Sequence, residues 1–202
     1  MNLWLAPWIC RAITGAQARW QSGLPEGRQR IYFANHTSNL DFLILWSLLP
    51  MQHRATTRPV AAQDYWTGGP VRRFLANKIF NAVLIERKNV TRANNPLDAM
   101  GRALEEGSSL ILFPEGGRKR GDNPGVLPFK SGLYHLASKH PEVELIPVFI
   151  RNMNRILPAG EFLFVPLLCS VTFGTPFPRV EGEAKQDFLR RAEVAVMEME
   201  NT

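Results

Sequence analysis

Short buried strands alternate with helical segments along most of this chain, and that alternation constrains its fold more than any other feature. Residues 30–34 (RIYFA) read as a strand too apolar to keep one face in water. A polar turn at 35–41 follows, and residues 42–49 continue as a buried helix that stops at Pro50. The order then repeats. Strands are expected at 59–62, 82–85, 109–113, 144–150 and 169–173, and helices at 71–80, 97–106, 131–139 and 184–200. Gly68-Gly69-Pro70 breaks the chain ahead of the second helix, Asn95-Pro96 opens the third, and Gly107 ends it. Such a pattern implies an α/β fold, a mixed, largely parallel sheet flanked by helices. Open sheets of this kind hold ligands beyond the carboxyl ends of their strands. The polar residues of this chain cluster at those positions.

Composition narrows the class further. With 202 residues, 45% hydrophobic and 21% charged, the chain has ample material for a core and is not disordered. Cys10 and Cys169 are too few for a disulfide scaffold and lack metal-ligand spacing, which fits a reducing compartment. Residues 1–130 carry 17 Lys and Arg against 9 Asp and Glu, whereas residues 131–202 carry 7 against 9. The basic part implies an anionic partner: a phosphate ester, a membrane surface or a nucleic acid. No stretch matches the roughly 20 apolar residues of a spanning helix. At the N-terminus, Trp4 and Trp8 precede Arg11 and Arg19, the reverse of a secretory signal. Apolar or small residues at 4, 5, 8, 9, 12, 13 and 16 form one helical face, and with Trp20 they suit an amphipathic helix lying on a bilayer. Packing of that face on the protein's own core is the alternative. The expected division is a membrane-associating helix over 1–22 and one domain over 23–202.

Four constellations carry chemistry. In Asn35-His36-Thr37-Ser38-Asn39-Leu40-Asp41, a histidine follows a strand and a carboxylate stands five positions later at a helix start. A chain reversal there brings Asp41 to one imidazole nitrogen and leaves the other as a base. In Phe113-Pro114-Glu115-Gly116-Gly117-Arg118-Lys119-Arg120, two glycines let backbone amides approach an anion and three cations supply charge. Glu115 is expected to orient Arg118 or a substrate hydroxyl. Glu86-Arg87-Lys88 places cations at a strand end, and Pro128-Phe129-Lys130-Ser131-Gly132 places a lysine at a helix start. Singly, each also suits a capped helix start or a solvated basic turn.

In this order, the four resemble the glycerolipid acyltransferase family, the 1-acylglycerol-3-phosphate acyltransferases and their relatives. His36 and Asp41, preceded by Asn35, match its histidine, four residues, aspartate motif. Glu86-Arg87 matches the second motif. Phe113 to Arg118 matches Phe-Pro-Glu-Gly-Thr-Arg, except that Gly117 stands for threonine, and Phe129-Lys130-Ser131-Gly132 matches the following Phe-Lys-x-Gly. Leu145-Ile146-Pro147-Val148 matches an apolar fourth motif. The resemblance spans residues 23–175.

The resemblance implies a glycerol-3-phosphate acyltransferase-like fold and an acyl transfer from a thioester to a lysophospholipid hydroxyl. The implied acceptor is 1-acylglycerol-3-phosphate and the implied product phosphatidate. His36 would be the general base and Asp41 its orienting partner. Arg87, Arg118 and Lys130 would hold the acceptor phosphate, with Glu115, Gly116 and Gly117 shaping its pocket. The donor would be acyl-coenzyme A or an acyl carrier protein, with no metal and no cofactor. The enzyme would sit peripherally on the cytoplasmic face of the membrane, in contact with phospholipid and not with nucleic acid. Gly117 leaves open another acceptor, a lysolipid with a larger head group or an ornithine lipid. A non-catalytic binder of anionic membranes or nucleic acid is the remaining alternative, and it has no use for a His–Asp pair at a strand end. The expected site has the first and third motifs facing across one pocket. An apolar groove with residues 42–49 and 162–168 as candidate walls should lead from it towards the N-terminal helix.

Overall fold

The computed structural model describes residues 11, 15–23, 27–38, 41–117, 125–151 and 169–201. Seven strands form one sheet: β1 (Gln17–Trp20), β2 (Arg30–Ala34), β3 (Thr57–Ala62), β4 (Val83–Ile85), β5 (Ser109–Leu112), β6 (Glu144–Arg151) and β7 (Ser170–Phe173). Their spatial order is β1-β7-β6-β2-β5-β3-β4. Every neighbouring pair is parallel except β6 with β7. The expected mixed, largely parallel sheet is therefore the observed one.

The centre of the sheet is covered on both faces, which is why its strands show no polar alternation. Along β2, Ile31 and Phe33 point to one core and Tyr32 and Ala34 to the other, all of them buried. The first core is closed by α5 (Pro96–Glu105), α6 (Gly132–Lys139) and α7 (Lys185–Met197), through Met100, Leu104, Leu133, Leu136, Phe188 and Val196. The second is closed by α1 (Asp41–Leu48), through Ile44, Leu45 and Leu48. Helix α5 starts as its sequence suggests. The Asn95 side chain accepts from the Leu97 N–H, Pro96 takes the first position, and Gly107 follows the end with a φ of 82°.

Residues 17–20 correct one expectation. They fall inside the helix assigned to 1–22 but form β1, parallel to β7. The indole of Trp20 stacks on Phe173, with centroids 3.8 Å apart and planes 7° apart. A partner strand some 150 residues away overrides the local helical pattern, because propensity is a weak prior against tertiary packing. The domain thus begins by residue 17, ahead of the expected boundary. Of the rest of that expected helix, residues 1–10 and 12–14 lie outside the described residues.

Two short helices also went unforeseen, α2 (Met51–Thr56) and α3 (Gln63–Trp66). Arg54 of α2 donates to the carbonyls of Ser47 and Leu49, satisfying the end of α1. The helix expected at 71–80 is a five-residue α4 (Pro70–Phe74) that widens into a π-helical turn, Leu75–Ile79. That turn closes with the Phe80 N–H donating to the Leu75 carbonyl at 3.0 Å.

Candidate active site

Five strand ends meet at one edge of the sheet. Residues 35–38 follow β2, 113–117 follow β5, Glu86 and Arg87 follow β4, and α3 follows β3; β6 ends beside β2 in parallel. The strand order makes motifs far apart in sequence adjacent in space.

The reversal expected after β2 is present. Asp41 is fully buried at the first position of α1, and its Oδ2 lies 3.0 Å from His36 Nδ1. The same oxygen accepts the backbone N–H groups of Thr37 at 2.6 Å and Ser38 at 2.8 Å. Asp41 therefore shapes the turn and orients the ring with one oxygen. Nδ1 faces the carboxylate, so Nε2 is the nitrogen left for a substrate.

One further contact holds the imidazole, and two more hold the backbone around it. Phe113 stacks on the ring, with centroids 4.4 Å apart and planes inclined by 24°. Buried Glu115 accepts the backbone N–H of His36 at 2.8 Å through Oε1 and that of Leu127 at 2.9 Å through Oε2. It ties the first motif to the third and both to the segment beyond. Asn35, also buried, accepts from the Ile150 N–H at 2.7 Å and donates to the Ile150 carbonyl at 2.9 Å. Its amide extends the β2–β6 pairing by one more pair of bonds, with a side chain in place of backbone. Neither Phe113 nor Asn35 was singled out from sequence, and their places in the motifs were the available signal.

The basic residues come next. The Arg87 guanidinium donates to the Gly116 carbonyl at 3.3 Å and lies 3.5 Å from Asp64 of α3. Lys88 reaches the other oxygen of Asp64 at 3.3 Å. The Lys88 hydrogen bond, with the Arg87 charge behind it, holds the Asp64 carboxyl below the usual carboxylate range. Glu86 points back to its own turn and accepts from the N–H groups of Arg87 and Lys88, both at 2.8 Å. These bonds depress its pKa too.

Gly116 adopts a φ of 66°, and a Cβ there would stand 2.5 Å from Cε of Lys130. The lysine side chain thus lies directly across the glycine. It is carried there by a segment pinned twice, with the Lys130 N–H on the Pro114 carbonyl at 2.8 Å and the Phe129 N–H on Glu193 of α7 at 2.6 Å. Gly117 differs, since a Cβ at that position would meet nothing within 4 Å. Arg118, with Lys119 and Arg120, lies outside the described residues.

His36, Arg87 and Gly116 line one open cleft of about 950 Å³, its mouth included. The first and third motifs do face one pocket. The cleft's other walls are apolar: Phe42, Ala62, Trp66, Ala76, Phe80 and Ile85. Of the expected walls, 42–49 contributes Phe42, and 162–168 lies outside the described residues. The remaining walls come from the ends of β3 and β4 and from α3 and the π-helical turn.

The domain model of the acyltransferases matches residues 17–151. The chain is 26% identical over 178 residues to 1-acyl-sn-glycerol-3-phosphate acyltransferase of Haemophilus influenzae, covering 83% of this chain and 68% of that protein. It is 27% identical over 173 residues to the human alpha form, covering 85% and 57%. It is 30% identical over 139 residues to the Escherichia coli enzyme of the same name, covering 62% and 51%. The chain thus spans little more than half of the human and Escherichia coli relatives. In fold it resembles the crystal structure of the 1-acyl-sn-glycerophosphate acyltransferase PlsC from Thermotoga maritima, with a TM-score of 0.74 over 99% of this chain and 78% of that one at 22% identity. With the match to residues 17–151 covering well over half of its length, this chain belongs to the acyltransferase family.

Proposed function

We propose that this enzyme transfers a fatty acyl group from an acyl thioester to the hydroxyl of 1-acylglycerol-3-phosphate, giving phosphatidate. The observation that carries this reading is the Asp41-oriented His36 opening into the same cleft as Arg87. His36 Nε2 takes the proton of the acceptor hydroxyl as its oxygen attacks the thioester carbonyl. The tetrahedral intermediate collapses, the C–S bond breaks, and the thiolate leaves with the proton from the imidazolium. Asp41 stabilises that imidazolium between the two steps. No acyl-enzyme forms, and the balance needs neither a metal nor a cofactor. Arg87 and Lys130, and Arg118 with them, hold the acceptor phosphate and set its hydroxyl against Nε2. The apolar walls past Phe42 and Trp66 suit an acyl chain. The names of the curated relatives support the choice of acceptor.

The test is release of free thiol from acyl-coenzyme A or acyl carrier protein thioester in the presence of lysophosphatidate. His36→Ala should lower the rate by about 10²- to 10⁴-fold, the usual contribution of a positioned base. Equal thiol release by wild type and variant would remove the assigned base. The open space at Gly117 favours one second reading, an acceptor with a larger head group. Lysolipids of increasing head-group size, compared in the same assay, decide between them.

A further inference from the structure

All five residues of helix α4 are exposed. Val71 is 69% exposed and Phe74 55% exposed, and three positions apart they share one face of the turn. Single exposed apolar residues are ordinary on a protein surface. Here the pair is interleaved with Arg72 and Arg73, also exposed, and followed one turn later by exposed Lys78. Between Asp64 and Glu86 the chain carries these three cations and no carboxylate. The inner side of the same segment faces the other way: Ala76 and Phe80 are buried and line the cleft. Arg72 lies over the Tyr65 ring at 4.4 Å, and Tyr65 is itself at the cleft.

From this we infer that α4 and the π-helical turn dock on an anionic phospholipid bilayer, with Val71 and Phe74 entering the interface and Arg72, Arg73 and Lys78 meeting lipid phosphates. Exposed apolar side chains flanked by long cations are the chemistry of an interfacial segment, and charge complementarity selects an anionic leaflet. The contact is separate from the expected N-terminal helix. It brings the apolar mouth of the cleft against the membrane, so that lipid passes to His36 without crossing water. That consequence rests on the proposed acyl transfer, whereas the docking itself does not.

A nitrobenzoxadiazole label on Phe74→Cys, in a Cys10→Ser background, reports the docking directly; the native Cys169 is buried. A label on Met197→Cys of α7, 40% exposed in the wild type, serves as the control. On vesicles of phosphatidylcholine with about one-third phosphatidylglycerol, the label at 74 should brighten several-fold and shift to the blue, with no change at 197. No response at 74, or an equal response at both sites, would overturn the proposal. The variant R73Q/F74S/K78Q should lose about ten- to thirty-fold in turnover of vesicle-borne lysophosphatidate, given two surface cations removed. Its turnover of a short-chain, water-soluble acceptor should stay within about two-fold of wild type, because none of the three residues lines the cleft. Equal loss on both substrates, or loss on neither, would also overturn it. If the wild type turns over neither acceptor, the proposed function fails, while the response of the two labels still decides the docking.

Discussion

At the scale of single residues, this site is held by backbone-directed carboxyl and amide groups more than by contacts between side chains. Asp41 spends one oxygen on His36 and on two N–H groups of the turn that presents it. Asp41→Asn keeps the volume but can present an N–H where three donors converge, so ring orientation and turn both suffer. Thiol release should fall by two orders of magnitude or more, as expected when a base loses its orienting partner. Asn35→Ala leaves the Ile150 N–H and carbonyl without their partner. Unsatisfied buried groups cost about 1–3 kcal/mol each, so a stability loss of about 2–4 kcal/mol should appear in denaturant titration. Gly116→Ala places a methyl in the path of Lys130 and strains a left-handed φ. It should raise KM for the acceptor several-fold with a smaller change in kcat, whereas Gly117→Thr, entering open space, should fold as well as wild type. The Asp64 carboxyl, depressed by Lys88 and Arg87, gives a pH prediction of definite sign. Its anchoring of Arg87 is complete above the ordinary carboxylate pKa and is lost as pH falls through the lowered value. Between pH 6 and 8, Asp64 should therefore add no pH dependence to the acceptor KM, so wild-type and Asp64→Asn profiles of KM against pH should run parallel.

At the scale of elements, the site depends on how loops are tied to helices that never reach it. Glu193 of α7 accepts the Phe129 N–H and so fixes the segment that delivers Lys130 to Gly116. Glu193→Ala should loosen that segment, raising amide exchange at 127–130 and acceptor KM while leaving His36 in place. Arg179 does comparable work at the far end of α6. It donates to the carbonyls of Ala137, His140, Pro141 and Val143, which terminate the helix and lead into β6. Burial lowers the Arg179 pKa, a sign of how much water the guanidinium gives up there. Arg179→Ala should cost about 2–3 kcal/mol, the scale of a lost hydrogen-bonding cation, with no change in acceptor KM. Melting temperature and kinetics on one sample separate the two effects.

At the scale of the whole molecule, the two cores and the site are one construction, since the strands that carry the motifs also divide the cores. Phe188 packs from α7 against Phe177 and Tyr134, at the far side of the sheet from α1. Phe188→Ala should lower stability by about 3–5 kcal/mol, visible as a shift of the unfolding midpoint, without touching the cleft. The elements around that core were legible because their signals are local: α5 announces itself through Asn95, Pro96 and Gly107, and β2, β5 and β6 through unbroken apolar runs. The His36–Asp41 pair was legible for the same reason, since a turn of five residues closes on itself wherever it sits. By contrast, β1 looked helical until β7 gave it hydrogen bonds and Phe173 gave Trp20 a ring to stack on. The role of Asn35 needs Ile150, that of Glu115 needs both His36 and Leu127, and the hold on Arg87 needs Asp64. The cleft walls needed the neighbouring β3 and β4 with the π-helical turn above them. The sequence by itself determined the strand–helix order, the His36–Asp41 pair and the residue types of the glycine-rich and basic motifs, because short-range pattern and chemistry suffice for these. Only the tertiary structure decided the strand order, the walls of the cleft and the partners that hold each polar group, because those contacts join residues that no local pattern relates.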